Sequence, residues 1–289
     1  MNNFMSFSER QEMEFAHLEA DPGFKALGQL LRRFPDLGED VPVACQSIQD
    51  TRKMMRDGKA IGDAFPPTAD GSDLVRRWKL VVKALSGEPL NLSAEVLAGL
   101  ESVTPELLTA WFEQLPQRPG ELSGDISREY GVSPDVAALI LIYAMGPFYR
   151  SWAKKIDLGD EDLQLWASGR CPVCGAWPHF GRLERDTGGR VLECWLCGVD
   201  WNYPRLQCPY CENADQEKLG FFSPKGEDDR RVYFCRECGR YVKIIDSRSQ
   251  GREPMLHLVN LATLALDLAA WKEGFRPGSE LPLAGESSS

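Results

Sequence analysis

Cys171-Pro172-Val173-Cys174-Gly175, Cys194-Trp195-Leu196-Cys197-Gly198, Cys208-Pro209-Tyr210-Cys211-Glu212 and Cys235-Arg236-Glu237-Cys238-Gly239 decide how this chain is read. These four Cys-x-x-Cys pairs hold all but one of the nine cysteines. A two-residue spacer lets one tight turn point both sulfurs at a single ion roughly 2.3 Å away. Eight thiols delivered in twos therefore match two tetrahedral thiolate sites.

The text between the pairs suggests how they combine. Arg182-Leu183 and Arg190-Val191-Leu192 flank the turn Thr187-Gly188-Gly189, which reads as a hairpin between the first two pairs. Leu219 to Phe222 and Arg231 to Phe234 flank the turn-rich Ser223 to Asp229 in the same way between the last two. A hairpin brings its ends together, so Cys171, Cys174, Cys194 and Cys197 are expected to hold one ion and Cys208, Cys211, Cys235 and Cys238 the other. The interleaved alternative closes longer loops for no visible gain. The two halves echo each other, Cys171-Pro172 with Cys208-Pro209 and Cys197-Gly198 with Cys238-Gly239, so the unit reads as duplicated. Gly after the second cysteine suits a knuckle turning through positive φ, and Glu212 breaks that pattern in the third.

The 289 residues are enough for about two domains. Their net charge of −10 is uneven: residues 170–250 carry 13 Lys and Arg against 12 Asp and Glu, whereas residues 1–169 carry 17 against 26. Nucleic-acid binders draw affinity from phosphate neutralisation and usually show a basic excess, which is missing here. Met1 to Ala20 is acidic and amphipathic, unlike a secretory signal. The apolar run Val136 to Tyr149 is shorter than the about 20 residues a bilayer span needs. Thiols kept for metal fit a reducing compartment. The expected location is the cytoplasm, with no membrane insertion.

From Phe4 to Leu165 the text is helical with short breaks. Phe15, Leu18, Phe24, Leu27, Leu30 and Leu31 recur at helical spacing around Asp21-Pro22-Gly23, and further helical stretches run from Ala44 to Arg56 and from Leu74 to Leu85. Gly58 to Gly71 reads as a connection. Thr104-Pro105-Glu106 and Ser133-Pro134-Asp135 are helix starts with proline in the first turn. The run that begins at Val136 is apolar round most of its circumference and belongs at the centre of a bundle, with Gly146-Pro147 expected to kink or restart it. Arg252 to Phe275 reads as a long amphipathic helix packing on both bundle and ribbons.

The sequence thus predicts an α+β chain. Residues 1–168 form a helical domain, 169–207 and 208–250 two tandem four-cysteine metal ribbons, 251–276 a C-terminal helix packing back, and 277–289 a disordered tail. His17, His179 and His257 are ligands or bases only by residue type and read as solvent or packing residues, while Cys45 reads as a small buried hydrophobe. Trp152, Trp166, Trp177, Trp195 and Trp201 are expected to shield the metal sites and bundle interface rather than to form a partner surface. No catalytic triad, paired-carboxylate motif or nucleotide fingerprint is legible. A site with four protein thiolates is coordinatively closed, so its ion holds a fold together and activates no water. Zinc and iron both accept four tetrahedral sulfurs, and the residues do not choose between them.

These residues resemble the FdhE family of formate dehydrogenase accessory (formation) proteins. The resemblance rests on Arg170 to Gly175, Cys194 to Cys197, Trp201-Asn202-Tyr203-Pro204-Arg205 leading into Cys208 to Cys211, and Cys235 to Lys243 with Asp246. Downstream, Leu261 to Asp267 resembles the family's closing helix and Gly146-Pro147-Phe148 its central one. Two positions depart: Val259-Asn260 stands where the family has an acidic pair, and Glu212 replaces a glycine. The resemblance implies a cytoplasmic, rubredoxin-like protein with two metal ions, iron or zinc, and no catalytic residues. It further implies an accessory role in maturation of respiratory formate dehydrogenase, binding the catalytic subunit before twin-arginine export. Alternative readings are a zinc-ribbon nucleic-acid-binding or general adaptor protein, and a redox enzyme using labile thiols. No oligomeric state follows from these residues.

Overall fold

The computed structural model describes residues 24–45, 51–224, 229–249 and 263–278, with the single residues 12, 15, 16, 19, 20, 22, 226 and 260. Its internal contacts divide it into two units: residues up to 45 with 67–152, and residues beyond 45 up to 66 with 153–280.

The first unit is helical. Its helices start where the sequence supplies caps: the Asp70 carboxylate accepts from Ser72 N at 2.8 Å ahead of helix Gly71–Ala84, and Thr104 Oγ1 accepts from Leu107 N at 3.3 Å ahead of Pro105–Gln114. Gly131, at φ +69°, ends helix Pro119–Tyr130. Trp78, Leu108, Phe112, Ile126, Phe148 and Trp152 are among the buried side chains of its core.

Helix Pro134–Ala153 runs unbroken for 20 residues, where a kink or restart was expected at Gly146-Pro147. Proline at 147 removes the N–H that would bond the Tyr143 carbonyl. That carbonyl instead accepts from Nε of the buried Arg77 at 3.1 Å, so the gap in the ladder is filled from a neighbouring helix. The Arg77 guanidinium also reaches the Asp36 carbonyl at 2.6 Å and pairs with Glu39. At 20 residues the helix is longer than the apolar run within it, and length alone would allow a membrane span. Most of its residues are buried inside the protein, as a central bundle helix requires.

The second unit is built on one sheet. Its strands are β1 (Phe180–Leu183), β2 (Arg190–Glu193), β3 (Asp200–Asn202), β4 (Leu219–Phe222), β5 (Arg230–Cys235), β6 (Arg240–Asp246) and β7 (Arg276–Pro277). Both expected hairpins are present, with Gly181 opposite Leu192 in one and Phe221 opposite Tyr233 in the other. Each ribbon is an antiparallel three-strand meander. The two join through a parallel pairing of β1 with β6, Phe180 to Lys243 and Leu183 to Asp246, giving the order β3-β2-β1-β6-β5-β4 with β7 beside β6. The duplicated text thus folds as two repeats set side by side in one sheet, with equivalent strands pointing the same way.

Several elements group differently from the expected boundaries. Residues 51–66 and 153–168, read as part of the helical domain, belong to the unit of the ribbons. Arg52 pairs with Asp162 at 2.8 Å, joining helix Thr51–Arg56 to helix Asp160–Leu163. The closing helix is described over Leu264–Lys272; Arg252 to Val259, expected to begin it, lies outside the described residues. Leu266 and Ala270 pack with Val232 and Tyr241 of the second ribbon. Arg276–Pro277, where the tail was expected to begin, pairs in register with Arg240 and Tyr241. The rest of the tail, residues 279–289, lies outside the described residues.

Candidate metal centres

All four knuckles are built alike. In each, the N–H that follows the second cysteine returns to the carbonyl of the first: Gly175 to Cys171 at 3.0 Å, Gly198 to Cys194 at 3.0 Å, Glu212 to Cys208 at 3.0 Å and Gly239 to Cys235 at 2.9 Å. This closure demands a left-handed residue, and the four stand at φ +78°, +73°, +60° and +68°. Glu212 therefore adopts the glycine conformation, and the third knuckle keeps the shape of the others despite its departure in sequence.

One knuckle precedes each meander and the second lies between its last two strands, so the hairpins bring the pairs together sequentially. Cys171, Cys174, Cys194 and Cys197 form one cluster, and Cys208, Cys211, Cys235 and Cys238 the other, the sulfurs in each lying within 4.8 Å of one another. A tetrahedral ion with metal–sulfur bonds of roughly 2.3 Å sets its sulfurs about 3.8 Å apart. In the second cluster Cys208 lies 3.7 Å from Cys238 and Cys211 3.7 Å from Cys235. In the first, Cys171 lies 3.5 Å from Cys197 and Cys174 3.3 Å from Cys194. The second group has the spacing of a tetrathiolate ion, and the first is gathered slightly tighter than that spacing. Burial pushes the Cys174 and Cys208 thiols upward, toward the neutral form, and neighbouring thiols reinforce the shift. A cation shared by the four sulfurs would favour their thiolate forms instead.

The clusters differ in exposure. All four cysteines of the first are buried, whereas in the second Cys211 is exposed and Cys238 half-buried. A segment distant in sequence backs the first: Ile61 N donates to the Pro172 carbonyl at 3.0 Å and Gly62 N to the Val173 carbonyl at 2.7 Å. Arg170 spans the same contact, giving Nε to the Gly175 carbonyl at 2.7 Å and pairing with Asp63 at 3.1 Å. The connection Gly58 to Gly71 thus carries a brace that its sequence did not announce.

A buried ion pair fixes the closing helix to the sheet. Lys243 of β6 is 1% exposed, with Nζ 2.6 Å from Asp267 Oδ2 and 2.9 Å from the Asn260 carbonyl, while Tyr241 OH donates to Asp267 Oδ1 at 2.7 Å. Sequence reading assigned these residues no role, although an aspartate among apolar residues at helical spacing was the signal for a buried partner. Asn260, at one of the two departures from the family text, contributes through its backbone.

Of the remaining residues singled out in the sequence, His179 belongs to neither cluster, and His17 and His257 lie outside the described residues. Cys45 is half-buried, not buried as expected. Trp152, Trp166, Trp195 and Trp201 are buried, and Trp177 is half-buried against Tyr210, their rings 5.8 Å apart.

No family model matches the chain. Over 150 residues it is 33% identical to a protein FdhE homolog of Aquifex aeolicus, a match covering 51% of this chain and 52% of that relative, about half its length. The FdhE homolog of Shewanella oneidensis is 28% identical over 229 residues, 76% of this chain and 71% of the relative. That of Shewanella baltica is 25% identical over 272 residues, 87% and 86% of the two. The crystal structure of the FdhE protein from Pseudomonas aeruginosa matches with a TM-score of 0.63 at 26% identity, over 96% of this chain and 95% of that one. In sequence over much of its length and in fold over nearly all of it, this chain is similar to the FdhE proteins.

Proposed function

We propose that this chain is an accessory protein for the maturation of formate dehydrogenase, binding the catalytic subunit in the cytoplasm before export and catalysing no reaction itself. The observation that carries this reading is the pair of four-cysteine clusters, each with a complete set of protein donors, in a chain related to the FdhE proteins. Four protein thiolates fill a tetrahedral ion and leave no position for water or substrate, so the ion's contribution is to folding and shape. Residues Cys171, Cys174, Cys194 and Cys197 hold one ion and Cys208, Cys211, Cys235 and Cys238 the other, as iron or zinc.

The test is affinity capture with the metal-loaded chain from cells making the dehydrogenase. Recovery of its catalytic subunit is the expected result, and consistent failure to recover it removes the reading. Metal analysis with an absorption spectrum decides the ion, because ferric tetrathiolate is coloured and zinc is not.

A further inference from the structure

The second ribbon carries a groove beside its metal centre. Strand register puts Leu219, Phe221, Tyr233 and Val242 on one face, since Leu219 lies opposite Cys235, Phe221 opposite Tyr233 and Tyr233 opposite Val242. The closing helix covers the other face through Val232 and Tyr241. On the uncovered face the strands, residues 205–207 between the ribbons and the third knuckle line a cavity of about 450 Å³, with Cys208 and Cys235 of the second centre in its wall.

Its lining describes its occupant. Leu206 and Phe221, 61% and 55% exposed, are the two most exposed large apolar side chains among the described residues, and both line this cavity. Water gains from covering them. Arg190, Arg205 and Arg240 also line it, with no Asp or Glu, in a chain of net charge −10. Arg190 is buried, donates Nη2 to the Gln207 carbonyl at 2.5 Å, and keeps a buried Nε without a hydrogen-bond partner. Beside the cavity β4 ends the sheet, pairing only with β5 among the described strands. Alternate backbone groups of Leu219–Phe222 thus face away from the sheet, where an added strand would bond them.

We propose that this groove binds an extended segment of a partner protein, added as a strand along β4, whose groove-facing side chains, every second residue, are carboxylates and large apolar groups in turn. A second copy of this chain is the wrong occupant, because face-to-face docking would set the three arginines against their own counterparts. The inference rests on the chain being a binding protein, as under the proposed function, and its test omits the dehydrogenase so that the two readings fail separately.

The test is fluorescence anisotropy with the metal-loaded full-length chain and a labelled peptide of about ten residues, with Thr at every second position and Glu and Phe in turn between them. Saturable binding is expected, weakened about tenfold or more by Arg205→Glu and by Phe221→Ser, and lost when Lys replaces every Glu of the peptide. Both substituted side chains are exposed, and metal content with circular dichroism verifies that each variant keeps its fold. Absence of binding up to about 1 mM, equal binding of the Lys peptide, or indifference to both substitutions overturns the proposal. So does a concentration-dependent dimer that Phe221→Ser dissolves, which would give the face to a second copy.

Discussion

Glu212 stands at φ +60° where the other three knuckles have glycine. A side chain in the left-handed region costs roughly 1–2 kcal/mol, while glycine there costs only the larger entropy of its unfolded chain, so Glu212→Gly should stabilise the loaded protein by about 1 kcal/mol. Chemical denaturation of the two forms measures this, and a loss of stability would show that the carboxylate has a compensating partner in the fold. His179 gives the opposite kind of residue-scale effect. Burial, with the nearby Lys243 ammonium, lowers its pKa to about 3 from the usual 6.5. The unfolded chain then binds a proton that the folded one refuses, so stability is full above about pH 6.5 and declines as pH falls from there toward about 3. His179→Gln should flatten the decline between about pH 6.5 and 5, where denaturant midpoints for both forms can be compared. Parallel midpoints would place the imidazole in water.

At the scale of elements, what the sequence displayed was local. Cys-x-x-Cys knuckles and the hairpins around Thr187-Gly188-Gly189 and Ser223 to Asp229 are written in contiguous text, and the sequential grouping of the cysteines follows from them. The parallel seam of β1 and β6 joins residues some sixty apart by backbone groups that any sequence possesses, so no residue type announced it. The brace of Ile61 and Gly62 on the first knuckle was hidden for the same reason, and the unbroken helix through Pro147 depended on an arginine seventy positions upstream. Equally illegible was the unequal exposure of the two clusters, since it depends on what covers each. It has a kinetic consequence. A chelator reaches an ion through accessible sulfurs, so the centre with exposed Cys211 should yield its ion first and the fully buried one later. A chromogenic chelator should record two phases of one equivalent each, with Cys211→Ser accelerating or removing only the early one. A single phase for both ions would contradict the assignment.

For the whole molecule, the two units draw on different sources of stability. The helical unit buries Trp78, Phe112, Tyr149 and Trp152, with ring pairs such as Phe112 and Tyr149 at 4.7 Å, and contains none of the eight clustered cysteines. The sheet of the other unit has strands of at most seven residues, and its buried pair Lys243 and Asp267 contributes order more than net stability. Structural thiolate sites supply on the order of 10 kcal/mol each to folding when loaded, more than such short strands can replace. Removing both ions under reducing conditions should therefore unfold the ribbons and leave the helices of the first unit. Far-ultraviolet circular dichroism should keep most of its helical signal and the thermal transition of the first unit, while Trp166, Trp195 and Trp201, buried in the second unit, move to redder emission. Readdition of the ion should reverse the emission change alone. If the helical transition vanished together with the metal, the bundle would depend on the ribbons for its fold, and the assignment of separate stabilities would be wrong.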